Sequence, residues 1–119
     1  MIFRETALKG AYVIELERKE DNRGDLARTW CQEEFASHGL STTLAQCNIS
    51  YSHKRGTLRG MHFQKAPHAE VKLVRCTAGA IFDVIVDLRP SSSTYAKYFS
   101  VMLSSANRHM LYIPEGMAH

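Results

Sequence analysis

The feature that most constrains this chain is a period-two alternation of apolar and polar residues, repeated in short runs along most of its length. Runs of this kind fall at 12–16, 44–52, 58–64, 71–76, 81–88, 98–103 and 109–113. Alternation at this period places every second side chain on one face of an extended strand, a pattern that a helix of 3.6 residues per turn cannot use. Turn-forming residues separate several of the runs: Asp21-Asn22-Arg23-Gly24, Gly56, Ala78-Gly79, and Arg89-Pro90 followed by three serines. One helical stretch is expected at 32–38, where Gly39 stands in the position of a C-terminal cap. Short strands at near-regular spacing with a single helix predict an all-β sandwich or small barrel.

Composition narrows the function classes. A chain of 119 residues is expected to form one domain over 1–119, burying roughly two-thirds of its unfolded surface. The hydrophobic share of 45% argues against disorder. A formal charge of +3 suits a small anionic ligand, and the basic residues are scattered rather than massed as in a nucleic-acid binder. No apolar run approaches the ~18 residues of a membrane span. Cys31, Cys47 and Cys76 are an odd set without paired spacing, and no signal peptide precedes them. Reduced thiols in a cytoplasmic protein are therefore expected.

Two segments carry candidate chemistry. In the run 44–52, Gln46, Asn48 and Ser50 share one face, while Ala45, Cys47, Ile49 and Tyr51 share the other. The polar face either meets water or lines a ligand-holding barrel, and the pattern alone does not choose. In the run 58–64, Arg59 and His62 differ by an odd number of positions, so strict alternation would put them on opposite faces. Gly60 lies between them, and glycine inside a strand often marks a bulge. An irregularity is expected there, turning guanidinium and imidazole towards one pocket. A neutral imidazole is suited to removing a proton near pH 7, and neighbouring cations such as Arg59 and Lys72 favour that neutral form. The same cations could stabilise an enolate or grip a phosphate. For Lys72 alone in an alternating strand, a solvated surface charge is the competing reading.

A metal site is the obvious rival. The spacing from Gly56 to His62 resembles the first motif of the cupin superfamily, with Glu70 a possible further ligand. Pro114-Glu115-Gly116-Met117-Ala118-His119 resembles the second. Metal-binding cupins usually carry another histidine two positions after the first, where this chain has Gln64. A cupin barrel without a metal is the expectation.

The resemblance sharpens when the motifs are read in order. Asp21-x-Arg23-Gly24, Gln46-x-Asn48-x-Ser50, Leu58-Arg59-Gly60-Met61-His62-Phe63-Gln64, Lys72-Leu73-Val74, Asp83-Val84-x-Val86-Asp87-Leu88-Arg89 and Ile113-Pro114-x-Gly116-x-Ala118-His119 follow one another along the chain. Together they resemble the dTDP-4-dehydrorhamnose 3,5-epimerase family, the RmlC type of cupin. The resemblance implies a jelly-roll barrel and a metal-free, cofactor-free isomerase of dTDP-4-keto-6-deoxy sugars, in dTDP-rhamnose-type biosynthesis that feeds lipopolysaccharide O-antigen. By this resemblance His62 is the base and Lys72 stabilises the enolate. Arg59 contacts substrate, Arg23 addresses the diphosphate across a homodimer interface, Gln46 and Asn48 line the pocket, and His119 is a further pocket histidine. Many rhamnose-pathway members carry Glu where this chain has Arg28. The run Ala27-Arg28-Thr29-Trp30-Cys31 instead resembles a broader sugar-epimerase subgroup.

Family members continue beyond the Ala-His pair with Gly-Phe and further barrel strands, which supply a tyrosine acid and an aspartate partner for the base. The resemblance therefore implies a barrel left incomplete at the C-terminal side of these 119 residues. It leaves two alternatives to an epimerase: a nucleotide-sugar-binding fragment without catalysis, and a metal-dependent cupin.

Overall fold

The computed structural model describes residues 1–119. Nine strands and one helix follow in the order β1 (Ile2–Glu5), β2 (Tyr12–Glu15), β3 (Arg18–Asp21), β4 (Gly24–Ala27), α1 (Gln32–Ser37), β5 (Lys72–Arg75), β6 (Ala80–Asp87), β7 (Tyr98–Ser104), β8 (Met110–Ile113) and β9 (Met117–Ala118). They form a four-stranded sheet in the order β1-β2-β8-β5, a three-stranded sheet in the order β7-β6-β9, and the separate hairpin β3-β4. Every pairing is antiparallel. The three sheets remain distinct, and no barrel closes.

β8 organises the interior because both of its faces are apolar. Leu111 and Ile113 pack with Leu8, Ala11, Ile85, Leu103 and Met117, the core between the two larger sheets. Met110 and Tyr112 point the other way, joining Ile14, Phe35 and Leu40 in a second cluster that includes the helix. All four β8 residues are buried, as a continuous apolar run in a central strand requires. The helix contributes one buried residue, Phe35. It ends as its sequence predicts: Gly39, at φ +68°, donates to the Ala36 carbonyl at 2.9 Å, and Leu40 donates to that of Phe35 at 3.0 Å. This paired closure is the Schellman arrangement that a glycine with positive φ permits.

Two expected strands are absent. The runs 44–52 and 58–64 alternate in sequence, yet neither is a strand. A strand needs a neighbour to take its N–H and C=O groups, and residues 42–53 make no backbone-to-backbone hydrogen bond. Both faces of that run are open, with Ile49 and Tyr51 as exposed as the polar Gln46 and Asn48. Conversely β1, β3, β4 and β9 were not expected. Arg-Lys-Glu-Asp in β3 has no apolar alternation and is fully exposed; its turn organises it. Asp21 Oδ1 accepts the Arg23 backbone N–H at 2.8 Å, and Gly24 follows at φ +138°. The hairpin is fastened to the body by an ion pair between Asp25 and Arg108.

One buried carboxylate ties the loops of the core together. Asp87, inaccessible to solvent, accepts from Arg89 Nε at 2.9 Å and Nη2 at 2.8 Å, and from Ser92 Oγ and Thr94 Oγ1 at 2.6 Å each. Arg89 in turn donates to the Lys9 carbonyl at 2.9 Å, joining the β1–β2 turn to this network.

Candidate active site

The site is assembled by strand register. Lys72 opens β5 opposite Ile113, and Val74 lies opposite Leu111. Cross-strand partners project to the same face, and Ile113 and Leu111 belong to the core between the sheets. Lys72 therefore projects towards that interior. On β6, Asp83, Ile85 and Asp87 share a face by alternation, and all three are buried. β9 pairs with β6 through Ala118 opposite Val86 and Met117 opposite Asp87. His119, the next residue, reaches back along β6, so that its Nε2 lies 2.7 Å from Asp83 Oδ1. This contact fixes the orientation of the ring.

His62 is joined to His119 through the backbone. Its N–H donates to the His119 carbonyl at 2.7 Å, and the His119 N–H donates to the His62 carbonyl at 2.9 Å. Residues that exchange both hydrogen bonds form one rung of an antiparallel ladder, with their side chains on the same side. The two imidazoles thus leave their backbones on one face. This rung explains Gly60. The break itself is present, without the expected convergence of Arg59 on His62, since the Arg59 guanidinium is engaged by Tyr51 and Ser52: Gly60 has φ +100°, and a Cβ there would stand 3.2 Å from the His119 carbonyl carbon and 3.3 Å from its oxygen. Only glycine fits both constraints without displacing backbone.

The remaining expected site residues lie elsewhere. The Arg59 guanidinium folds back over its own loop, donating to the Tyr51 carbonyl at 2.9 Å and to Ser52 Oγ at 3.2 Å. Gln46 and Asn48 lie exposed on the unpaired segment. Arg23 sits at the tip of the β3–β4 hairpin, 2.6 Å from Asp21 and largely in solvent. Its guanidinium holds the Asp21 carboxyl below the usual carboxylate range. A cleft of about 420 Å³ lined by Phe63, Gln64, Ala69, Arg89 and Glu115 includes none of His62, Lys72, Asp83 and His119. No three His, Cys, Asp or Glu side chains converge as metal ligands, and the three cysteines are unbridged.

Sequence reasoning assigned no role to Asp83, although a signal was present. It is an acid on the apolar face of an alternating strand, flanked at i±2 by Ile81 and Ile85. Its Oδ2 is buried without a hydrogen-bond partner. A carboxylate kept there at a cost in stability points to a role in the site.

A family model for dTDP-4-dehydrorhamnose 3,5-epimerase matches residues 5–119. The chain belongs to that family. It is 46% identical over 117 residues to a dTDP-4-dehydrorhamnose 3,5-epimerase of Methanothermobacter thermautotrophicus, covering 98% of this chain and 62% of that relative. The crystal structure of the Elizabethkingia anophelis dTDP-4-dehydrorhamnose 3,5-epimerase superposes with a TM-score of 0.96 at 42% identity, over 100% of this chain and 65% of that one. A Legionella pneumophila family member, solved in complex with dTDP-4-keto-L-rhamnose, superposes at 0.90 with 34% identity, over 99% of this chain and 62% of that one. The chain thus spans about three-fifths of the length of the curated relatives it matches. The RmlC-type cupin architecture expected from the motifs is the architecture found, without closure of the barrel. No helix is long and apolar enough to cross a membrane.

Proposed function

We propose that this chain carries the proton-abstracting half of an epimerase acting at C3 and C5 of a dTDP-4-keto-6-deoxyhexose, in deoxysugar biosynthesis of the dTDP-rhamnose type. The observation that carries the proposal is the His62–His119 rung, whose exchanged backbone hydrogen bonds bring two histidines side by side; Lys72 lies opposite the buried Ile113 on β8. The 4-ketone acidifies the protons on its flanking carbons. His62 takes one of them, and the electron pair delocalises onto the ketone oxygen as an enolate. Lys72 offers the positive charge that stabilises that oxygen. Return of a proton to the opposite face inverts the carbon. The carbonyl is itself the electron sink, so the step requires no redox change.

His119, oriented by Asp83, faces the sugar from the neighbouring strand. Arg59 meets the nucleotide sugar, and Gln46 and Asn48 line its approach. Arg23, carried on a hairpin that projects from the body, serves the diphosphate of a second copy in a homodimer. Large exposed apolar side chains such as Leu26 on that hairpin and Phe82 and Tyr98 on the β6–β7 sheet suit burial against that copy. The relative solved with dTDP-4-keto-L-rhamnose supports a ligand of this class.

The test is incubation of the protein with dTDP-4-keto-6-deoxyglucose in deuterated water. Deuterium at C3 and C5 is the expected result. It requires only a working base, whichever group returns the proton on the other face. Measurable binding without exchange would reduce the chain to a nucleotide-sugar binder. Exchange abolished by a chelator would establish a metal-dependent cupin instead.

A further inference from the structure

We propose that Glu70 is the positioning residue of Lys72, an inference that rests on the proposed role of Lys72 at the enolate. Lys72 is the first residue of β5, and β5 is an edge strand with β8 on one side only. Its backbone is held opposite Ile113, but its ammonium sits at the end of a flexible four-carbon stem. A lysine charge stabilises an enolate only if it stands where the negative charge develops, and nothing in the backbone register fixes Nζ.

Glu70 supplies the missing restraint. It lies two residues before Lys72, so an extended backbone puts both side chains on the same side. Its Oε1 is 3.3 Å from Lys72 Nζ. Neither group has another ion-pair partner, since the remaining ion pairs of the chain involve other residues. Their side chains are 23% and 35% exposed, for Lys72 and Glu70 respectively. The pair is thus partly withdrawn from water, where a single ionic contact restrains a side chain more than it would on an open surface. The cupin-like spacing that makes Glu70 a candidate metal ligand has a different use here: its carboxylate faces an ammonium.

The experiment has two arms on the same variants. In the first, 13Cε-lysine-labelled protein without substrate gives the order parameter of the Lys72 side chain. Glu70→Ala is expected to lower it clearly, with Glu70→Gln intermediate. An unchanged Lys72 order parameter in Glu70→Ala overturns the proposal, whatever the chain catalyses. In the second, deuterium exchange into dTDP-4-keto-6-deoxyglucose at saturating substrate is expected to slow by about tenfold in Glu70→Ala, with KM altered less than about twofold. In a Lys72→Met background the same Glu70→Ala change should have no further effect. An equal loss in both backgrounds would overturn the proposal by showing that Glu70 acts independently of Lys72. Absence of exchange in the unaltered protein would instead overturn the epimerase reading, and the order-parameter arm would still decide the placement of Lys72.

Discussion

Gly60→Ala tests the joint that holds the candidate base. The glycine has φ +100°, a region in which an L side chain is strained by roughly 1–3 kcal/mol. The added Cβ would also sit 3.2 Å from a backbone carbon and 3.3 Å from a backbone oxygen of His119, neither of which can swing aside as a side-chain tip would. Both effects act on the rung formed by the 2.7 Å and 2.9 Å hydrogen bonds between His62 and His119. The expected penalty is about 2–3 kcal/mol, which corresponds to a roughly 30- to 150-fold easier opening of that rung.

The opening should be local. Residues 42–53 make no backbone-to-backbone hydrogen bond, so the strain can relax by detaching 60–62 while the sheets stay intact. Native-state amide exchange reads this directly. In the unaltered protein, the His62 and His119 amides should be protected and those of 42–53 should exchange freely. In Gly60→Ala, the first two should lose protection while the amides of β8 keep theirs. Unchanged protection at His62 and His119, or a uniform loss throughout the sheets, would show that Gly60 does not hold this rung.

Three further outcomes follow from the same structure. Asp87→Asn should cost about 2–4 kcal/mol in urea unfolding, because it leaves a guanidinium that is only 28% exposed facing a neutral amide. Acid should act through the same group. Arg89 first, then Ser92 and Thr94, hold the Asp87 carboxyl well below its ordinary value of 3.8. The unfolded chain therefore binds the proton more readily, and this stabilisation is complete above about pH 5 and declines as pH falls below about 4. A urea midpoint that is flat from pH 5 down to 3 would contradict it. Asp83→Asn should leave stability unchanged or raise it by about 1 kcal/mol, because one oxygen of this carboxylate is buried without a partner. The His119 ring nitrogen shifts should nevertheless move, as the 2.7 Å contact loses its charge.

The fold was legible wherever alternation met a partner strand. The runs at 71–76, 81–88, 98–103 and 109–113 became β5 to β8 with small changes at their ends, because each lies against another strand of the chain. The runs at 44–52 and 58–64 carry the same signal, but a ladder requires two sides, and only His62 has a backbone partner. The hairpin β3-β4 was missed for the opposite reason: its strands are set by the Asp21–Gly24 turn and by no apolar face. At the site, the break at Gly60 could be read from one glycine between two functional residue types. The His62–His119 rung could not, since it joins positions 57 residues apart (119 − 62). Asp83 was visible as an acid on an apolar face, although its partner was not.

The proposed role of His62, removal of a proton from the carbon beside the sugar ketone, is open to direct measurement. The most direct measurement is deuterium incorporation at C3 and C5 of dTDP-4-keto-6-deoxyglucose in deuterated water, comparing the unaltered protein with His62→Asn at equal nucleotide-sugar occupancy. Incorporation by the unaltered protein and a loss of about 10²–10⁴-fold in the variant are expected. Equal incorporation by both proteins would contradict that role.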